Sequence, residues 1–140
     1  MQLGECVGCH TATTRTEHPF RELQFGGGRR FIETRKGYGY ELSPDPSFAA
    51  RVNPTLGEGE RIVVSANLTR DPSGISYYTP EMFVTTIRTG RVAGVRRLSS
   101  AMPWIHFRNL TDEDLKAIFA YLRTVPPVRH NVNNSDPPTF

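Results

Sequence analysis

The sequence predicts a single domain made of a few short helices separated by long loops. Hydrophobic residues make up only 37% of the 140 residues, below the usual share of ~45–50%. Glycine and proline are frequent, with 12 and 11 copies, whereas only two segments carry strong helix signals. A chain with so thin a protein core usually needs a staple, a metal or a cofactor to hold it together.

The first of these helices follows Thr79, a candidate N-cap residue. Pro80 suits the first helical position, and Gly90 ends the segment. Its apolar face consists of Phe83, Val84 and Ile87. A shorter helix is predicted over roughly residues 3–9, close to the beginning of the chain.

The last helix begins after Thr111, and Asp114 stands where a capping box has Glu or Gln. Pro126-Pro127 stops it, and its apolar residues recur at helical spacing: Leu115, Ile118, Phe119 and Leu122. Residues 61–66 favour a short strand or an extended segment. Residues 16–40, which hold Gly26-Gly27-Gly28, are predicted to be a loop that can approach a flat ligand closely.

Charge and hydropathy disfavour several functions. The net charge is +3, and a cluster without acids holds Arg88, Arg91, Arg96 and Arg97. No recognition motif or stacking aromatic pattern accompanies it, so we expect no nucleic-acid partner. No run of 18 apolar residues occurs, so no transmembrane segment is expected in this chain. No signal peptide is visible after Met1.

The two cysteines lie in the pentapeptide Cys6-Val7-Gly8-Cys9-His10, which three kinds of site could use. A thiol redox centre belongs in a βαβ setting, and no strand is predicted before this motif. A zinc site takes four protein ligands, and the usual second ligand pair is missing. Cys-x-x-Cys-His is also the signal for a c-type haem. Both thiols then add to haem vinyl groups, and His10 lies under the iron.

Met102 is the favoured second axial ligand for such a haem. It lies in a loop just before the last helix, and the proline after it biases its backbone toward an extended conformation. Met/His is a standard cytochrome c ligand pair. The alternatives are Met82, more simply a core residue, and His106; His18 and His130 are predicted to be ordinary surface or loop histidines.

The chain resembles a class I cytochrome c domain of the bacterial type found in cytochrome subunits of periplasmic dehydrogenases and as separate carriers. The resemblance covers nearly the whole chain apart from residues 41–60 and the tail. It is carried by Cys6-Val7-Gly8-Cys9-His10-Thr11, Gly26-Gly27-Gly28-Arg29-Arg30-Phe31, the run from Ala66 to Ile75, Phe83, Ile87-Arg88-Thr89-Gly90, Ala101-Met102-Pro103-Trp104, Leu110-Thr111-Asp112-Glu113-Asp114-Leu115, Ala120-Tyr121-Leu122 and Pro126-Pro127-Val128.

The resemblance implies an all-α cytochrome c fold wrapped around one covalent haem c, with His10 and Met102 as axial ligands. It places Asn67, Arg88 and Trp104 near the haem edge or propionates. Residues 1–128 would form the domain, with residues 41–60 as a loop insertion and residues 129–140 as an extra tail. For pairing with a propionate, Arg88 is the first choice, followed by Arg29 or Arg30.

The expected function is one-electron transfer between redox protein partners, without catalysis. The alternative is a fixed relay subunit of a larger oxidoreductase or multi-cytochrome complex. A haem peroxidase or gas sensor needs an open iron position, against which Met102 argues. Covalent haem attachment takes place outside the cytoplasm, so we expect a periplasmic location or the outer face of the inner membrane, in a processed or excised form. The basic segment Gly90 to Ser100 is expected to border the haem edge and steer an acidic partner.

Overall fold

Short helices and short strands alternate along the chain. The computed structural model describes residues 3–11, 24–33, 39–41, 60–93 and 96–132. In chain order the elements are α1 (Leu3–His10), β1 (Arg30–Glu33), β2 (Gly39–Glu41), β3 (Arg61–Val64), α2 (Pro80–Thr89), β4 (Arg91–Val92), β5 (Arg96–Arg97), α3 (Trp104–Phe107) and α4 (Asp112–Leu122).

Side-chain caps fix the starts of α2 and α4, as the sequence predicts. The Thr79 hydroxyl accepts a hydrogen bond from the Met82 backbone N–H at 3.1 Å. Thr111 does the same for the Asp114 N–H, also at 3.1 Å. Gly90 ends α2 in the left-handed region, at φ 66°. These bonds satisfy amides that have no partner inside the helix, so both boundaries follow from local sequence.

Helices α2 and α4 pack against each other and form the centre of the core. The rings of Phe83 and Phe119 lie 5.3 Å apart, and Leu115 and Leu122 are each 1% exposed. Phe25 joins this cluster from the chain before β1. Cys6 and Val7 of α1 pack against the same cluster, which places the cysteine motif beside the core.

Two small antiparallel sheets correct the expectations of an all-α fold and of a loop over residues 16–40. The first sheet has the order β2-β1-β3, and Glu33 of β1 lies opposite Arg61 of β3. The second pairs β4 with β5 directly after α2, with Arg91 opposite Arg97. Both β1 and β3 carry consecutive apolar residues that favour strands, Phe31-Ile32 in β1 and Ile62-Val63-Val64 in β3.

The glycine run passes close behind the cysteine motif. Gly27 donates a backbone hydrogen bond to the His10 carbonyl at 2.7 Å, and Gly28 donates to the Ser65 carbonyl at 2.9 Å. Gly27 has φ +73°, and a Cβ there would lie 2.5 Å from the backbone carbonyl of Ala66. Only glycine therefore allows this approach.

Several predicted features lie outside the described residues. They are His18, most of the predicted insertion (residues 42–59) and the end of the predicted tail (residues 133–140). The beginning of that tail is anchored: the His130 backbone N–H donates to the Ser73 hydroxyl at 3.0 Å, and its ring binds the Gly26 carbonyl at 2.8 Å. The domain boundary at residue 128 stays a prediction. Within the described part of the chain, no helix is long and apolar enough to cross a membrane.

We expect Gly27→Ala to destabilise the folded protein by about 2–4 kcal/mol, because it adds left-handed strain to a clash with fixed backbone. Gly28→Ala is the matched control. Its φ is +98°, so it is also strained, but the added Cβ meets the His130 ring, which can turn away at the cost of its hydrogen bond to Gly26. Urea unfolding should show the larger loss for Gly27→Ala, and equal losses would refute the backbone clash.

Candidate functional site

A cavity of about 670 Å³ lies between the cysteine motif, β3 and the helical core. Its lining includes Cys6, Cys9 and His10 from the beginning of the chain and Met102 from its later part. The remaining wall is largely apolar and includes Phe31, Ile62, Val64, Leu115, Ile118 and Leu122. The structure therefore brings four sequence-predicted site residues to one apolar cavity.

Helix α1 places the two thiols and the imidazole together. Cys6 and Cys9 are three residues apart on this helix, so both lie on the same side of it. Both are half-buried, whereas His10, the last residue of the helix, is 7% exposed. The next residue, Thr11, is 1% exposed and its hydroxyl accepts the Phe25 N–H at 3.0 Å, which anchors the chain leaving the motif.

One nitrogen of the His10 ring, Nδ1, is hydrogen-bonded to the protein, and the other, Nε2, can bind a metal ion. Its Nδ1 lies 2.7 Å from the Ala66 carbonyl oxygen. A carbonyl only accepts hydrogen bonds, so Nδ1 carries the proton and Nε2 carries the lone pair. Burial lowers the pKa of His10, and the hydrogen bond to Ala66 opposes this only partly. A neutral, oriented imidazole of this kind is the form that binds a metal ion.

Met102 lies in a tight turn between β5 and α3. Its backbone N–H donates to the Ser99 carbonyl at 3.1 Å, and its carbonyl accepts the Trp104 N–H at 2.8 Å. The side chain is half-buried and lines the cavity. Met82 and Met102 both pack against the core cluster, but Met82 is not among the cavity's lining residues.

Two histidines differ in their relation to the cavity. His106 lines it, although the residue is exposed at the end of α3. His130 is not among the lining residues; it packs behind the glycine run, where its ring contacts Gly26.

The arginines at the cavity are not those favoured by the sequence. Arg88 is not among the lining residues, because its guanidinium binds Asp112 at 2.6 Å and also the Arg108 carbonyl. Nor do Arg29 and Arg30 line the cavity. The arginines that do are Arg61, Arg96 and Arg97. In the sequence, Arg96 and Arg97 stand out only as part of a basic segment, and Arg61 is the first residue of the range predicted to be a strand or an extended segment.

Asn67 lies at a second, smaller cavity of about 390 Å³ and not at the first. Its side chain is 3% exposed. The amide donates to the Val128 carbonyl at 2.8 Å, and the amide oxygen accepts from the Thr69 hydroxyl at 2.8 Å. Asn67 thus joins its own loop to the segment after α4.

Trp104 lines neither cavity, and its ring packs on Gly90 at the end of α2. A Cβ at Gly90 would lie 2.4 Å from this indole ring. The structure thus assigns Trp104 a packing contact between α2 and α3.

The second cavity is lined by more polar side chains and shares His10, Arg96 and Met102 with the first. Its polar side chains include Asn67, Ser73, Tyr77, Tyr78 and Thr86. Burial raises the pKa of Tyr78 to about 12, and at neutral pH its phenol is protonated and can donate a hydrogen bond. The two cavities together offer an apolar side next to the cysteines and a polar side next to Arg96.

Comparisons with known proteins show similarity to cytochrome subunits of dehydrogenases. The chain is 30% identical over 129 residues to the cytochrome c subunit of a quinone alcohol dehydrogenase from Gluconacetobacter polyoxogenes, which is 91% of this chain and 21% of that subunit. It is 41% identical over 68 residues to the fructose dehydrogenase cytochrome subunit of Gluconobacter japonicus (47% and 14%). It is 35% identical over 78 residues to the gluconate 2-dehydrogenase cytochrome c subunit of Pantoea cypripedii (54% and 18%).

The chain spans about a fifth or less of the length of these three relatives. No family model matches it. Relatives named as cytochrome subunits support a cytochrome c domain of the kind that dehydrogenase complexes contain, with electron transfer as its general role.

Proposed function

We propose that this chain is a class I cytochrome c domain that carries one haem c and transfers single electrons within a larger dehydrogenase complex. The observation that supports this most strongly is the meeting of Cys6, Cys9, His10 and Met102 at one apolar cavity. The names of the relatives support the cytochrome assignment independently of that geometry.

The residues at the cavity fit a haem. Cys6 and Cys9 would each add their S–H across a vinyl double bond, which forms one S–C and one C–H bond and needs no oxidant. His10 would offer Nε2 to the iron while Ala66 holds Nδ1. The surrounding aliphatic side chains would cover the macrocycle and exclude water.

Met102 completes the site as the second axial ligand in this proposal. His10 and Met102 would hold haem iron between them, and such an iron would supply one-electron chemistry between its ferrous and ferric states. The turn at Ser99 and the α3 start would hold the thioether in place in both states. With Met102 as a ligand, the iron would have no open position for a substrate, which favours an electron carrier over a peroxidase or gas sensor.

Arg96 replaces Arg88 as the proposed partner of a haem propionate. Arg96 lines both cavities and lies close enough to Tyr78 to lower its pKa electrostatically, against the larger effect of burial. A buried carboxylate requires a charged or hydrogen-bonding partner, and an arginine with a phenol beside it supplies both. Arg88 is committed to Asp112, 24 residues away along the chain.

The proposed setting is a fixed relay in an assembly rather than a free carrier. The relatives are subunits of dehydrogenases, and this chain matches only part of each. A periplasmic or outer-face location follows from covalent haem attachment. Arg91 and Arg97, exposed opposite each other on β4 and β5, repel one another, and an acidic partner surface would relieve that repulsion.

We expect haem to stay with the polypeptide after denaturation and acid–organic extraction, because two thioether bonds survive these treatments. Absorbance of the extracted polypeptide measures this directly. The control is the double variant Cys6→Ser, Cys9→Ser, from which any haem should be extracted. Complete extraction from the wild-type protein would contradict the proposal.

The reduction potential should begin to fall with rising pH at a certain pH. In Arg96→Gln that pH should be higher by about 1 unit or more than in the wild type. A nearby cation lowers the pKa of a carboxylate by about that amount, and its loss lets the propionate protonate at higher pH. Potentiometric titration over pH measures the shift, with Arg88→Gln as the matched control. A shift in Arg88→Gln and none in Arg96→Gln would restore the assignment that the sequence favoured.

A further inference from the structure

Glu33, at the end of β1, receives hydrogen bonds from two parts of the chain. Arg61, its cross-strand neighbour, donates from Nε at 3.0 Å and from a terminal nitrogen at 2.9 Å. Ser99 donates its hydroxyl, and Ser100 donates its backbone N–H at 3.1 Å. The carboxylate side chain is only 18% exposed. It therefore binds both its own sheet and the loop before Met102.

These bonds hold the carboxylate in its charged form. Burial raises the pKa of Glu33, but the hydrogen bonds from Arg61, Ser99 and Ser100, with the charge of Arg61, outweigh this and keep the pKa below its usual range. Hydrogen bonds to an ionised group are roughly twice as strong as neutral ones. The loop before Met102 is thus attached to the sheet by charge-assisted hydrogen bonds, which are stronger than neutral ones.

Ser99 connects Glu33 to Met102 through hydrogen bonds. Its hydroxyl accepts the Ala101 backbone N–H at 3.0 Å, and its carbonyl accepts the Met102 backbone N–H at 3.1 Å. The residue that Glu33 binds is therefore the one that closes the turn around Met102. Two hydrogen bonds separate the Glu33 carboxylate from the Met102 backbone.

The same sheet also supports His10. Strand β3 continues into Ser65 and Ala66, and the Ala66 carbonyl binds the His10 ring at 2.7 Å. Ser65 is fixed to the chain before β1, since its N–H donates to the Arg29 carbonyl at 2.8 Å. Strands β1 and β3 thus support both His10 and Met102, from opposite ends.

We propose that Glu33 is a positioning residue that holds the Ser99–Met102 turn against the cavity and so keeps Met102 on the iron. This inference rests on the proposed function, because it assumes His10 and Met102 as axial ligands. A merely structural role, in which the Glu33–Arg61 pair only stabilises the sheet, would lower stability without changing access to the iron.

Glu33→Gln separates these roles, because it keeps the shape but removes the charge. Weaker attachment opens the Met102 turn more often, and the apparent affinity for an external ligand rises with the open population. We expect the affinity of the ferric protein for imidazole to rise about tenfold, as the loss of one charge-assisted hydrogen bond permits. The near-infrared thioether band should therefore disappear at about tenfold lower imidazole concentration than in the wild type.

Asp112→Asn is the matched control. It removes the carboxylate of another arginine pair, Arg88–Asp112, at a site that does not line the cavity. Imidazole affinity and the thioether band should match the wild type in this variant. Equal imidazole affinities in Glu33→Gln, Asp112→Asn and the wild type would overturn the proposal.

Ser99→Ala provides the second variant, and it decides the question if Glu33→Gln does not fold. It removes one donor to Glu33 and the acceptor for Ala101, so imidazole affinity should again rise. An unchanged affinity in Ser99→Ala would overturn the proposal. A wild-type protein that holds covalent haem but lacks the thioether band would instead refute Met102 ligation, and hence the proposed function.

Discussion

The hydrogen bond of 2.7 Å between His10 Nδ1 and the Ala66 carbonyl is the contact on which the site depends. It joins the helix that carries both cysteines to the segment that continues from β3. It fixes the proton on Nδ1 and so determines which nitrogen can bind a metal. The close approach of Gly27 to the same carbonyl is a consequence, because the glycine run must pass between α1 and this segment.

The low hydrophobic content of the chain has a structural counterpart in the cavity. Leu115, Ile118 and Leu122 of α4 line it as well as packing into the core. They are at most 7% exposed, so they belong to the core and at the same time form one wall of the cavity of about 670 Å³. A haem in that position would supply the apolar surface that the chain itself lacks, which agrees with the need for a cofactor inferred from composition.

Helix boundaries and the grouping of Cys6, Cys9 and His10 could be predicted because their signals are local. Thr79, Gly90 and Thr111 act on amides or turns within a few residues, and spacing alone puts Cys6, Cys9 and His10 on one helix end. The strands were harder to predict, since β1 to β5 are two to four residues long. At that length a strand is defined by its pairing with distant segments and not by its own pattern.

The partners of charged side chains also depend on contacts between distant parts of the chain, and so they could not be predicted from local sequence. Nothing in the sequence near Arg88 points to Asp112, whose position relative to Arg88 is created by the packing of α2 on α4. Nothing near Ser99 points to Glu33, 66 residues away. Charged side chains find distant partners through tertiary structure, so their roles could be identified only once the sheet and the helices were in place.

The central claim is that Met102 and His10 bind the same iron, and the ferric near-infrared spectrum tests it most directly. A protein of this kind should show the thioether band, which should be lost in Met102→Ala, with a lower reduction potential and with carbon monoxide binding to the ferrous form. Met82→Ala should keep the band, since Met82 is not among the residues that line the cavity. A band that survives Met102→Ala and disappears in Met82→Ala would contradict the account.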